Sequence, residues 1–63
     1  MITFKITPVF PADHRALFDA LFPGLTHCAS RVEENVAYYS FEDDTVRPVD
    51  LGPLVKTEII PNP

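Results

Sequence analysis

With 63 residues the chain has room for one small domain, residues 1–63, whose core alone supplies no more than roughly 3–5 kcal/mol. A composition 46% apolar and 22% charged is not that of a disordered chain, and a lone cysteine, Cys28, excludes an internal disulfide. Nine acids against five bases, a net charge of −4, leave no basic stripe for direct DNA or RNA binding, and no apolar run nears the ~20 residues of a membrane span.

The opening MITFKITPVF lacks both a basic stretch and an unbroken apolar run. No signal peptide is therefore expected, and a cytoplasmic location is the default. The same segment alternates, with Ile2, Phe4 and Ile6 on one face and Thr3, Lys5 and Thr7 on the other. That is the pattern of a half-buried strand, stopped near Pro8, which has no amide hydrogen to offer a ladder.

From Pro11 to Phe22 the period changes. Leu17, Phe18, Leu21 and Phe22 form an apolar stripe that His14 and Leu25 extend, which predicts an amphipathic helix about three turns long. Pro11 suits its first turn, and Asp13 sets a carboxylate near the positive end of the helix dipole. Pro23-Gly24 ends it at about Leu21.

Residues 25–35 admit two readings. Leu25, Cys28, Ala29, Val32 and Val36 would line one face of a second helix capped by Thr26, or the segment is a strand paired with Asn35–Asp44 through a Glu34-Asn35 turn. The strand is favoured by what its register brings together. A two-residue loop sets Val32 opposite Ala37, Ser30 opposite Tyr39 and Cys28 opposite Phe41, all on one face. The other face pairs Arg31 with Tyr38, a cation–π contact, and His27 with Glu42. Tyr39 then belongs to the core and Tyr38 to the outer face.

Two prolines, a glycine and three acids break any period over residues 43–53, a connection long enough to put the last strand on either edge. Alternation resumes over residues 54–60, with Val55, Thr57 and Ile59 facing one way and Lys56 and Glu58 the other. The fold class is α+β: one amphipathic helix packed on a small, mainly antiparallel sheet, in the order β-α-β-β-β, with β-α-α-β-β as the alternative. One helix covers one sheet face. The bare face carries Thr3, Lys5, Thr7, Ala29, Arg31, Val36, Tyr38, Ser40, Lys56 and Glu58, a usable contact surface.

No spacing in the chain carries recognisable chemistry. One cysteine and two histidines fall short of a zinc site, and on a strand His27 and Cys28 point to opposite faces. The two glycines, Gly24 and Gly52, stand too far apart for a phosphate-cradling loop. No enzyme activity, metal or cofactor is expected. What remains is charge. Glu33 and Glu34 crown the expected turn, while Glu42, Asp43 and Asp44 close the opposite end of the hairpin. Separated carboxylate patches can stand in for backbone phosphates before a basic channel.

The function expected is thus that of a protein-binding module, an acidic inhibitor that blocks a basic nucleic-acid-binding surface of a larger protein as a nucleic-acid mimic. Its contact residues would be Glu33, Glu34, Tyr38, Glu42, Asp43 and Asp44. In size, acidity and want of a catalytic constellation the chain is of the sort phages use against host machinery, anti-CRISPR proteins included, although no family motif is present. The alternative is a small homodimeric structural or assembly protein that uses its bare sheet face or an edge strand. A third, a small enzyme or metal protein, would centre on His27 and Cys28.

Overall fold

The computed structural model describes residues 1–25 and 28–60. Strand β1 (Ile2–Pro8) leads to helix α1 (His14–Leu21), then β2 (Ala29–Glu33), β3 (Val36–Phe41) and β4 (Val55–Ile60). The four strands make one sheet in the order β2-β3-β1-β4, and every neighbouring pair is antiparallel. This is the expected α+β arrangement, with the 25–35 ambiguity decided in favour of a strand. β3 lies between β1 and β2, and the 42–54 connection delivers β4 to the edge beside β1.

The hairpin register is the one expected. Ser30 faces Tyr39, Arg31 faces Tyr38 and Val32 faces Ala37. The Arg31 guanidinium lies 4.7 Å from the centre of the Tyr38 ring. Cys28 falls just outside β2 and packs against the core, and the His27–Glu42 pair lies outside the described residues.

Two details differ from expectation. The helix is shorter, eight residues rather than about three turns. Asp13 is its N-cap, accepting from the amides of Arg15 and Ala16 at 3.1 and 3.4 Å, so the helix begins after it rather than at Pro11. The hairpin turn also uses its residues differently. Asn35 was the residue suited to a left-handed backbone, yet the positive φ, 56°, falls on Glu34. Asn35 is committed elsewhere. Its Nδ2 donates to the Phe10 carbonyl at 2.6 Å and its Oδ1 accepts from the Ala12 amide at 3.3 Å, which clamps the hairpin turn to the β1–α1 loop.

The core fills the space between α1 and one sheet face. Phe4, Ile6, Ala37, Tyr39, Phe41 and Val55 rise from the strands to meet Leu17, Leu21 and Phe22. Aromatic rings dominate it. Phe22 sits 4.8 Å from Phe41 and Phe18 sits 5.0 Å from Tyr39, both pairs tilted, as the ring quadrupoles prefer. Past Phe22 the chain turns through Gly24, whose φ of +82° a side chain would resist. The 42–54 connection is pinned where Val49 donates to the carbonyl of Leu21 at 2.8 Å. Val46 and Leu51 from this connection pack against the core margin. Among the described residues no helix is long and apolar enough to cross a membrane.

Candidate functional site

The strand alternation decides which charges share a surface. Lys5, Arg31 and Lys56 all lie on the bare sheet face, with only Glu33 and Glu58 as strand acids beside them. Three of the five bases are gathered there, so the acidity of the chain resides in the helix, the turns and the loops. Across this face runs a row in which Arg31 meets Tyr38, Tyr38 meets Lys5 and Lys5 meets Glu58. Thr3 and Ser40 join hydroxyls beside it at 2.9 Å. Tyr38 is outward, as expected, but it stands among cations.

The expected acidic contacts therefore divide. Glu33 is on the bare face and bonded to Arg31 of its own strand at 3.3 Å. Glu34 is exposed at the turn. Glu42, Asp43 and Asp44 lie at the far end of β3, on the order of 20 Å from the turn at ~3.3 Å per strand residue. The two ends form separate patches, as the hairpin register predicts, and Tyr38 belongs to neither.

At the Glu42–Asp44 end the structure makes a concavity. A groove of about 640 Å³ has Phe41, Leu25, Met1 and Val46 among its walls, with Glu42 and Asp43 on its lip. Met1 is 65% exposed and Leu25 37% exposed, so the apolar walls are open to a visitor. The three carboxylates are not equivalent. Asp44 binds the Met1 ammonium at 2.8 Å, which holds the N-terminus over the groove. Asp43 Oδ1 accepts from both the amide and the hydroxyl of Thr45, at 2.9 and 2.6 Å. Those two bonds to its charged form hold the Asp43 carboxyl below its ordinary value. Glu42 makes no ion pair among the described residues.

A second, smaller groove of about 340 Å³ separates α1 from β2, with His14, Phe18, Cys28, Val32 and Tyr39 in its walls. Both ring nitrogens of His14 are buried without a hydrogen-bond partner among the described residues. The Cys28 thiol is pushed up from its ordinary value by burial, away from the thiolate that nucleophilic or metal chemistry requires. Tyr39, its neighbour, is raised by burial and then by Cys28. His27, the other residue singled out for chemistry, lies outside the described residues. Among the described residues no three His, Cys, Asp or Glu side chains are grouped to hold a metal ion.

Sequence reasoning found the acids of the larger groove and missed its walls. Leu25 was assigned to the helix stripe, and Met1 and Val46 carried no signal, because only the fold brings the two loops and the N-terminus together. No protein-family model, curated protein or solved structure matches the chain.

Proposed function

We propose that this protein is a non-enzymatic binding module that docks its Glu42–Asp44 end on a basic surface of a larger protein and so keeps nucleic acid off that surface. One observation supports the reading above the others: the groove beside β3 joins apolar walls to a carboxylate lip. Lysine and arginine lay their aliphatic stems along apolar surface and keep the charged head in reach of an acid. A basic side chain entering between Met1 and Leu25 would therefore reach Glu42, which has no ion-pair partner of its own among the described residues. The bare sheet face, with its cations, would turn away from such a partner. The acidic contact is thus narrower than the six residues expected from sequence, with Glu42 and Asp43 at its centre.

An arginine-rich peptide tests this by NMR titration. Shifts confined to Leu25, Ala29, Ser40 and residues 41–46, weakening as salt rises, are the expected result. Glu42→Lys should weaken the peptide severalfold, and it leaves the Thr45 and Met1 contacts of its neighbours in place. Shifts scattered over the surface, or unchanged affinity in Glu42→Lys, would sink the proposal.

A further inference from the structure

Strand β4 is an edge of the sheet, bonded on one side to β1 alone. The Val9 amide donates to the Leu54 carbonyl at 2.9 Å, and antiparallel pairs alternate between bonded and unbonded. Continuing that alternation along the register, Lys56, Glu58 and Ile60 turn their backbone groups to β1. Val55, Thr57 and Ile59 turn theirs outward, where the Val55 amide meets the Gly52 carbonyl at 3.4 Å and no further strand lies among the described residues. The same segment holds two of the most exposed large apolar side chains, Leu54 at 58% and Ile59 at 56%.

The sequence of this edge, Leu54-Val55-Lys56-Thr57-Glu58-Ile59-Ile60, is complementary to its own reverse. Laid antiparallel on a second copy about Thr57, it sets Leu54 opposite Ile60, Val55 opposite Ile59 and Lys56 opposite Glu58, each twice. Opposite charges facing across strands stabilise the pair, and like charges destabilise it. Moving the centre by one residue places Lys56 against Lys56 or Glu58 against Glu58. The centre at Thr57 also brings Thr57 of the two copies, and Ile59 of each with Val55 of the other, into the position where their amides and carbonyls can bond, the Val55 amide exchanging its 3.4 Å bond to the Gly52 carbonyl for one to the partner's Ile59. Lys56 and Glu58 of one chain stand only 3.9 Å apart, so both heads are already on the same face and at the same height. The other edge, β2, does this less well. A centre at Val32 would pair Arg31 with Glu33, but it runs Ser30 into Glu34, whose φ of 56° is not that of a strand.

We propose that β4 pairs with β4 of a second copy of this chain about a two-fold axis at Thr57, forming one eight-stranded antiparallel sheet with both helices on the same face. The axis stands perpendicular to the sheet, so the contact is isologous and closes at two copies. It covers Ile59 with the partner's Val55 and Leu54 with the partner's Ile60.

Sedimentation over a concentration series, with the charge pair exchanged, tests the pairing. Wild type should pass from monomer to dimer as concentration rises. K56E and E58K each turn two attractive facing pairs into two repulsive ones, and each should associate about tenfold or more weakly. An equimolar mixture of K56E and E58K should recover association, which also shows that both variants are folded. In a Cys28→Ser background, a short thiol crosslinker should join T57C to itself and should not join K56C to itself. A wild type that stays monomeric, a K56E that associates as wild type does, a mixture that recovers nothing, or crosslinking at 56 rather than 57 would each overturn the proposal.

Discussion

Replacing Asn35 by alanine removes the clamp between the hairpin turn and the loop that starts the helix. The side chain makes two bonds, to the Phe10 carbonyl at 2.6 Å and from the Ala12 amide at 3.3 Å. A net hydrogen bond contributes about 0.5–1.5 kcal/mol, and the exposure of one and the length of the other put both toward the lower half, about 1–2 kcal/mol together. A 63-residue domain holds roughly 3–9 kcal/mol in all, so between about a tenth and two thirds of its stability is at stake. At about 4–8 °C per kcal/mol for a domain of this size, Asn35→Ala should melt about 5–15 °C lower by circular dichroism.

The loss should also be local. Asp13, the cap of α1, follows the clamped segment directly, so faster hydrogen exchange at the Ala12, Arg15 and Ala16 amides should accompany the lower melting point. Asn35→Asp keeps the acceptor for Ala12 while losing the donor to Phe10. Its melting point should fall, but exchange at Ala12 should stay slow. A melting point for Asn35→Ala within about 2 °C of wild type, with Ala12 still protected, would show that the turn and the loop are held by packing instead.

The turn offers an opposite test. Positive φ at Glu34 alone, with a two-residue loop, is the II′ pattern in which glycine is preferred at the first position. Glu34→Gly should relieve about 1–2 kcal/mol of left-handed backbone cost, less the entropy glycine adds to the unfolded chain. A net gain of about 0.5–1 kcal/mol is expected in urea unfolding, and a loss would contradict the assigned turn. Asp43 supplies a pH signature. Its folded carboxyl lies below its ordinary value of 3.8, so its stabilising effect is complete above that value and disappears as pH falls through the folded one. Melting points of wild type and Asp43→Asn should therefore differ most above pH 3.8 and converge in stronger acid. A gap that widens on acidification would contradict the Thr45 bonds.

Where period alone decides, the fold was legible in the residues. The alternation of Ile2, Phe4 and Ile6 names the buried face of β1, and Leu17, Leu21 and Phe22 name the stripe that meets it. The hairpin was legible for a second reason: only its register pairs Arg31 with Tyr38 while setting Val32 against Ala37. The start of the helix was not, because Pro11 and Asp13 are both good opening residues, and the choice between them was made by Asn35 reaching over from the turn. The left-handed residue was missed for the same reason. An asparagine already bonded to Phe10 and Ala12 is not available to act by its local preference, and the strain moved to Glu34. The candidate site was half visible. Its acids could be counted, but its apolar walls come from three distant segments. The make-up of the Tyr38 face was legible as well, since alternation alone brings Lys5, Arg31, Lys56 and Glu58 to its side.

Pairing through β4 would constrain how the acidic end can be used. Antiparallel pairing reverses the direction of every strand in the second copy, so the two Glu42–Asp44 ends would lie at opposite ends of the eight-stranded sheet. They could not sit side by side on one basic surface. Each copy would then bind its own target, with no gain in affinity from the second site on a single flat partner. The cations Lys5 and Arg31 of both copies would lie on one continuous sheet face. Dimer and acidic site therefore occupy separate parts of the chain, and Glu42→Lys and K56E should each affect one and spare the other.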